Sequence, residues 1–251
     1  MKKTIIAGLL LLSAAVLWAQ NAAEIVEKAD TIFTLDRMYS KSAMTITRNG
    51  KDQPVQIMES FFMKEGEVNK TMTLFLEPRR VAGTAYLSIG DDLWVRFAST
   101  GRIRKMSSSA KKNSAGGSDF SYSDMGEGNQ GFGEKYSVSL EGTEKVDGLE
   151  CWKILMVPRP GSSDVYEKAV AYIAKEDFTY REIDLYEDGA HIKTMSFGDF
   201  RSLKGLPYPY TISMRSLTRN SVSVVETLEI EADSPRVEPR FFSKTYLESI
   251  R

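Results

Sequence analysis

The sequence is poor in the side chains on which most enzymes and metal sites depend. Its 251 residues include one cysteine, Cys151, and one histidine, His191. A single cysteine excludes a disulfide within the chain, and one residue of each type cannot supply the several ligands of a structural zinc site. No G-x-S-x-G segment precedes a helical pattern, and His191 directly follows an Asp-Gly turn on a predicted strand. The sequence therefore predicts no catalytic residue, no cofactor and no metal site, and we do not expect an enzyme.

An excess of charge of either sign is also missing. The chain carries 33 basic and 34 acidic side chains, a formal net charge of −1. This balance gives no general affinity for nucleic acid or for an anionic membrane surface. A chain of this size can bury roughly 70% of its unfolded surface in one core, so it needs no disulfides for stability. We expect a monomer with a single domain over residues 20–251.

The apolar run at the N-terminus is too short to span a membrane. It extends from Ile5 to about Ala19, whereas a transmembrane helix needs about 20 apolar residues. Lys2 and Lys3 precede the run, which is the layout of a secretory signal peptide over residues 1–19. Cleavage is expected after Ala19 or after Ala15, and an uncleaved N-terminal anchor is the alternative. No cysteine follows that could carry a lipid anchor, so we expect a soluble exported protein.

Strand patterns dominate the rest of the chain. Ile25, Ala29 and Ile32 recur at the spacing of one amphipathic helix, and from Tyr39 the apolar period changes to two. Turns such as Asn49-Gly50 separate about eleven short strands, which is typical of an antiparallel sandwich or barrel. Several strands are apolar on both faces and need cover on both. The predicted fold class is mainly β, of the α+β type, with a curved sheet and a helix across one side.

One long polar tract, residues 107–135, interrupts the strands. It contains the segment GGSDFSYSDMGEGNQG, residues 116–131. Stretches of this length without a strand pattern are uncommon inside a compact domain and are usually functional or disordered. The tract is therefore the first candidate for a functional segment.

The middle of the chain resembles a known family. Residues 77–109, EPRRVAGTAYLSIGDDLWVRFASTGRIRKMSSS, and 116–125, GGSDFSYSDM, resemble the periplasmic lipoprotein-carrier superfamily, in its LolA-like branch of outer-membrane lipoprotein-sorting proteins. The matching positions are Pro78, Gly83, Thr84, Leu87, Trp94, Arg102, Arg104, Lys105, Gly117, Ser118, Asp119, Phe120, Tyr122 and Asp124. Two features depart from that branch: Phe97-Ala98-Ser99 replaces its Tyr-x-Pro, and the arginine with which lipoprotein carriers latch their lid has no counterpart.

The resemblance implies both a fold and a function. The fold is an unclosed antiparallel barrel of about eleven strands, with helices as a lid over an apolar cavity. The implied function is a periplasmic carrier that binds acyl chains of lipoproteins or lipids and shuttles them toward the outer membrane. Implied partners are an inner-membrane exporter of the RND or MMPL type and an outer-membrane acceptor. An envelope sensor or interaction module that binds exposed lipid or protein without transport is the alternative.

The resemblance also places the lid and its rim in the 107–135 tract. The residues assigned to this motif are Arg102, Arg104, Lys105, Gly117, Ser118, Asp119, Phe120, Tyr122 and Asp124. We expect Phe120 and Tyr122 to turn toward the barrel. Asp119 or Asp124 is expected to pair with a basic residue of 102–105 and hold the hinge of the lid, and a solvated loop without specific pairing is the alternative.

Strand parity predicts which side chains face the cavity. The residues chosen on this basis are Met44, Ile46, Ile57, Phe61, Met72, Leu74, Leu87 and Trp94. The choice depends on register, because an error of one residue moves every side chain of a strand to the other face. If the parity is right, Trp94→Asp should abolish lipid binding and leave the fold intact.

Overall fold

The computed structural model describes residues 22–33, 35–126, 131–133, 135–160 and 165–250. The predicted signal peptide, residues 1–19, lies outside the described residues. Within the described part of the chain, no helix is both long enough and apolar enough to cross a membrane. The helices are α1 (residues 22–30), α2 (Ser108–Lys111), α3 (Tyr122–Gly126) and α4 (Lys244–Ser249), with 3-10 turns at Thr31–Phe33 and Pro239–Phe241.

The strands all belong to one antiparallel sheet. They are β1 (Arg37–Arg48), β2 (Lys51–Asp52), β3 (Gln56–Glu65), β4 (Val68–Glu77), β5 (Ala85–Ile89), β6 (Asp92–Arg96), β7 (Ile103–Lys105), β8 (Tyr136–Val146), β9 (Leu149–Pro158), β10 (Lys168–Ala174), β11 (Tyr180–Glu187), β12 (Ala190–Leu203), β13 (Leu206–Ser216) and β14 (Ser221–Ala232). Their order across the sheet is β7-β6-β5-β4-β3-β1-β14-β13-β12-β11-β10-β9-β8, and β2 pairs only with β1.

The order of the strands confirms the predicted unclosed antiparallel barrel. The sheet ends at β7 on one side and at β8 on the other, so these two strands are its edges. The described residues form 14 strands, more than the predicted eleven. Part of the difference is β2, which has two residues and is too short to show an alternating pattern. The 107–135 tract connects the two edge strands.

Helix α1 covers one face of this sheet, which we call the inner face. Its apolar residues Ala22, Ile25, Val26 and Ala29 are buried in the main hydrophobic core, and Ile32 follows them there. The side chains at positions 23, 24, 27 and 28 are exposed. The predicted amphipathic helix is therefore confirmed, because its apolar stripe is the surface that packs on the sheet.

The hairpin turns follow from residues that tolerate a positive φ. Asn49 and Gly50 have φ values of 50° and 72°, and Asp188 and Gly189 have φ values of 50° and 75°. Two successive positive φ values define the type I′ turn, whose twist matches that of paired strands. These turns hold β1 against β2 and β11 against β12.

The opposite, outer face is covered by the C-terminal segment. Cross-strand pairing aligns Tyr39, Phe61, Met72, Leu87 and Trp94 in one continuous row over β1, β3, β4, β5 and β6. The C-terminal segment packs on this row, and the ring centroids of Phe61 and Phe241 lie 4.8 Å apart. The whole group, here called the outer cluster, consists of Tyr39, Phe61, Met63, Met72, Ala85, Leu87, Trp94, Val237, Phe241, Phe242 and Leu247.

Candidate ligand-binding cavity

The inner face encloses a cavity of about 240 Å³. Most of its lining is apolar or aromatic: Met38, Met58, Phe62, Phe120, Met125, Phe132, Tyr136, Val165, Tyr166, Ile183, Leu185, Met195, Phe197, Tyr208, Ile212 and Val225. Four of these residues are methionines, whose flexible side chains adapt to ligands of different shape. The lining is therefore suited to an apolar ligand.

Small hydroxyl side chains form one wall of the cavity. This hydroxyl wall consists of Ser40, Ser42, Ser60, Thr71, Thr73 and Thr227, on the adjacent strands β4, β3, β1 and β14. Ser60 lies opposite Ser40 on β1 and opposite Thr73 on β4, and the Ser60 and Thr73 hydroxyl oxygens are 2.9 Å apart. Ser42 lies opposite Thr227. These side chains are too short to fill the space between the sheet and its cover, so the interior stays hollow here.

A more polar groove adjoins the cavity beside α1. It has a volume of about 500 Å³ and shares Phe62 and Gly131 with the cavity. Charged residues of both signs line it, including Glu27, Lys64 and Arg159. The groove gives the apolar cavity a polar neighbour at one end.

Asp119 anchors the 107–135 tract to β14, in the middle of the sheet. Its side chain is completely buried, and its carboxylate accepts hydrogen bonds from Arg219 Nη2 at 2.8 Å, Ser221 Oγ at 2.5 Å and Ser223 Oγ at 2.8 Å. The backbone N–H of Asp119 donates to Ser223 Oγ at 2.8 Å. Arg219 also donates to the carbonyl of Ser118. The carboxylate is thus fully bonded and held against the β13–β14 turn.

The two glycines before this anchor attach the tract to the neighbouring strands β1 and β3. The carbonyl of Gly116 accepts a hydrogen bond from Gln56 Nε2, and that of Gly117 from Arg48 Nη2, each at 3.0 Å. Gly116 has a φ of +59°, and a Cβ there would lie 3.0 Å from Gln56 Oε1. The positive φ therefore favours glycine at this position, and a Cβ would also crowd the Gln56 side chain.

Asp124 closes the first turn of α3 at the edge of the cavity. Its carboxylate accepts from the backbone N–H of Ser121 at 2.7 Å, and its own N–H donates to Ser121 Oγ at 3.1 Å, which is a capping box. Tyr166 donates to the same carboxylate at 3.0 Å, and Lys193 donates to the Tyr166 hydroxyl at 3.2 Å. Burial raises the pKa of Asp124 and lowers the pKa of Lys193, and each group's charge opposes the shift of the other.

The family follows from a match over most of the chain. A family model described as "Uncharacterized protein" matches residues 33–249. The chain belongs to this family. A comparison with curated proteins found no match.

Solved structures identify the fold of this family member. A DUF1329 family protein from Desulfovibrio piger superposes with a TM-score of 0.85 at 22% identity, over 92% of this chain and 99% of that one. A domain from Vibrio parahaemolyticus described as an outer membrane lipoprotein-sorting protein gives 0.81 at 22% identity, over 92% and 99%. A LolA superfamily protein from Nitrosomonas europaea gives 0.75 at 21% identity, over 90% and 98%. The LolA-like resemblance of residues 77–125 is therefore confirmed as a likeness of fold.

The predicted cavity residues lie on both faces of the sheet. Met44 and Ile46 are buried in the main core on the inner face but do not line the cavity. Ile57 lies opposite Ala43 and is half-buried, with the parity of the outer face. Phe61, Met72, Leu87 and Trp94 belong to the outer cluster, and Leu74 packs against it.

The parity predicted for these outer residues is therefore the reverse of the observed one. The reason is physical: the larger apolar side chains of β3 to β6 are buried in the outer cluster, under the C-terminal segment. The hollow lies under the smaller side chains on the inner face of β3 and β4, which are Ser60, Thr71 and Thr73. Thr71 and Thr73 alternate with Met72 and Leu74 on β4, and this was the signal that the parity argument left unused.

The predicted partners of the lid carboxylates also need correction. Asp119 pairs with Arg219, and Asp124 bonds to Ser121 and Tyr166, rather than to the basic residues 102–105. Arg102, Arg104 and Lys105 are exposed at the edge strand β7 and its approach, and Lys105 pairs with Asp92 at 2.7 Å. The distance in sequence explains the error, because Arg219 is 100 residues from Asp119 and no local pattern connects them.

The remaining motif residues lie in the tract as follows. Ser118 is completely buried and donates to the carbonyl of Ala115 at 2.6 Å. Phe120 is buried and lines the cavity, and Tyr122 packs edge-on against Tyr86 with ring centroids 5.5 Å apart. Both rings thus pack toward the inner face.

His191 lies away from the cavity. Its Nε2 is 2.9 Å from Asp184 Oδ1 and 2.9 Å from Thr194 Oγ1, and its ring stacks on Tyr186. None of these four residues lines the cavity. No group of three or more His, Cys, Asp or Glu side chains among the described residues is arranged to hold a metal ion.

Proposed function

We propose that this protein is a carrier that binds the acyl chains of a lipid or lipoprotein in the inner-face cavity and shuttles them toward the outer membrane. The observation that carries the proposal is the hollow interior of about 240 Å³ with its mostly apolar lining. A protein that served only as a scaffold would gain stability by filling this space, because each buried void forfeits packing contacts. The structural similarity to the Vibrio parahaemolyticus domain named for lipoprotein sorting, with a TM-score of 0.81, also supports a carrier function.

The energetics of acyl chains support a carrier of this kind. Each methylene group that leaves water for an apolar site contributes about 0.8 kcal/mol. A chain of ordinary length therefore resists crossing the aqueous space between two membranes by about 10 kcal/mol or more. A cavity lined by Met, Phe, Ile and Val side chains offsets that cost without a nucleophile or a metal, and transport requires neither.

The groove beside α1 supplies a place for the polar part of such a ligand. Ligand pockets commonly measure about 300–1,000 Å³, and the cavity together with the groove falls in this range. In the proposed complex, the acyl part occupies the cavity and the polar part lies beside Glu27, Lys64 and Arg159. Charged side chains of both signs there suit a ligand end that stays hydrated.

The proposal includes the location and the partners expected from the sequence. The chain is exported by its N-terminal signal peptide and acts in the periplasm as a monomer. It receives its cargo from an inner-membrane exporter of the RND or MMPL type and delivers it to an outer-membrane acceptor.

Mass spectrometry of the protein purified from cell envelopes tests this proposal. We expect a stoichiometric lipid or acylated protein that remains bound in native spectra and is released on denaturation. A protein that is empty of lipid but firmly attached to another envelope protein would contradict the carrier and favour the sensor or interaction module. Lipid turnover that is lost in His191→Ala would instead indicate an enzyme.

A further inference from the structure

The hydroxyl wall is more polar than a cavity for plain hydrocarbon requires. Its residues are contiguous, since Ser40, Ser60 and Thr73 are direct neighbours across three strands and Ser42 faces Thr227 on the next pair. All of them turn toward the same hollow, and Met58 and Phe62 on the same face of β3 continue the apolar lining on either side of Ser60. The cavity therefore has a polar stripe set into an apolar surface.

The chemistry of this stripe is that of neutral hydrogen bonding. No charged residue of β1, β3, β4 or β14 lines the cavity, and its charged lining residues, Asp124 and Lys135, both come from the 107–135 tract. A phosphate or a carboxylate on the ligand would require cationic side chains or a cluster of backbone N–H groups instead. Serine and threonine hydroxyls each offer one donor that can rotate toward a carbonyl oxygen.

Binding of a pure hydrocarbon would deprive these hydroxyls of the hydrogen bonds that they can make to water. Only the Ser60 and Thr73 hydroxyls are within hydrogen-bond distance of each other, at 2.9 Å. An apolar chain that displaced water from the wall would leave the Ser40 hydroxyl without a partner and the Ser60 hydroxyl with Thr73 alone. A ligand with acceptor oxygens at this depth restores them.

We infer that the hydroxyl wall binds the ester carbonyl groups of a diacyl ligand, with Ser40 and Ser60 as donors. This assignment rests on the proposed carrier function and narrows its cargo to ester-linked lipids. Two ester groups of one glycerol unit lie close together, and the wall offers neighbouring hydroxyls on adjacent strands. Diacyl phospholipids and the diacylglyceryl group of a lipoprotein share this chemistry.

Binding of matched lipids tests the assignment. The probes are a diester phosphatidylglycerol and its diether analogue with the same chains, which lacks both carbonyl oxygens. We expect the protein to bind the diester about fivefold more tightly, the size of one or two neutral hydrogen bonds. In the double variant Ser40→Ala with Ser60→Ala, the diester affinity should fall to that of the diether, whose affinity should stay within about twofold of its original value.

A matched control removes a hydroxyl from the other side of the same strand. Thr45 lies on β1 between the inner residues Met44 and Ile46, so its side chain has the parity of the outer face. Thr45→Val should retain the full preference for the diester. A synthetic peptide with an N-terminal diacylglyceryl cysteine completes the set, because tighter binding of this peptide than of the phospholipid would identify lipoprotein as the source of the ester groups.

The outcomes separate this inference from the proposed function. Equal affinity of the original protein for diester and diether, or a preference that survives in the double variant, would overturn the ester assignment and leave the carrier standing. Failure of all three probes to bind would overturn the carrier itself. A preference that disappears in the double variant and persists in Thr45→Val supports the assignment.

Discussion

The two faces of strands β3 and β4 are built in opposite ways. On the outer face, large side chains such as Phe61 and Met72 are buried in the outer cluster under the C-terminal segment. On the inner face, small residues such as Ser60 and Thr73 leave a hollow. A sheet that must both fold and hold a ligand can thus separate the tasks: the bulkier face stabilises the fold, and the less bulky face provides the room.

The largest expected change in stability comes from removing a large side chain from the outer cluster. Phe61→Ala removes a ring that packs against both Tyr39 and Phe241. The free energy of unfolding should fall by about 3–5 kcal/mol, as for other buried Phe to Ala changes. Chemical denaturation measures it, with Leu228→Ala as a control at a position 58% exposed, where a change of less than about 0.5 kcal/mol is expected.

Trp94→Asp extends this comparison to the residue first assigned to the cavity. Since Trp94 belongs to the outer cluster, the variant buries a carboxylate under the C-terminal segment and should lower stability strongly. Loss of lipid binding with an unchanged denaturation curve would contradict the observed parity and favour the one predicted from the sequence.

The next largest loss of stability is expected at Asp119, which anchors the 107–135 tract. Asp119→Ala removes a buried carboxylate and leaves Ser221 and Ser223 without their acceptor. A hydrogen bond to a charged group contributes about 1.5–3 kcal/mol net, and loss of this carboxylate removes several at once, so we expect a total loss of at least about 3 kcal/mol. Chemical denaturation of Asp119→Ala measures this loss. Lys105→Ala is the comparison, because Lys105 was predicted to pair with the tract but forms an exposed pair with Asp92, which should contribute less than about 1 kcal/mol.

Filling the hollow should change binding much more than stability. Ser40→Phe places a ring in the cavity, so the affinity for a diacyl lipid should fall at least about tenfold while the free energy of unfolding changes by less than about 1 kcal/mol. Ser202→Phe introduces the same ring at an exposed position of β12 and should leave binding unchanged. A destabilisation of about 1–3 kcal/mol in Ser40→Phe would mean that the site is already packed and would contradict the comparison.

The smallest effect concerns pH. Because burial raises the pKa of Asp124 above its usual 3.8, the folded protein binds this proton more readily than the unfolded chain does. Stability from this group is therefore present at low pH and decreases as pH rises from about 3.8 through the raised pKa. Asp124→Asn should flatten this part of the curve when denaturation midpoints are measured from about pH 4 upward. An unchanged curve would mean that Asp124 titrates as it does in the unfolded chain.

Most of the fold could be predicted from local patterns. The period of two, the Asn49-Gly50 and Asp188-Gly189 turns and the stripe of Ile25 and Ala29 each reflect interactions between residues close in sequence. The hollow could not be found this way, because it depends on which of two apolar faces the C-terminal segment covers. Phe241 is 180 residues from Phe61, and nothing in either strand indicates their contact.

The candidate site shows the same division between local and distant interactions. The Ser121–Asp124 capping box is visible as S-x-x-D and could have been identified from the sequence. The pairing of Asp119 with Arg219 brings together residues on either side of six strands, β8 to β13, and leaves no local signal.

The buried anchor at Asp119 also limits how the 107–135 tract can move. Any opening that swung residues 116–119 away from the sheet would have to break the bonds to Arg219, Ser221, Ser223 and Arg48 at the same time. Residues 116–119 are therefore a fixed point of the tract, and any rearrangement that leaves these bonds intact is confined to the residues on either side of them. A spin label near Asp119 should report a rigid environment in the presence and absence of cargo.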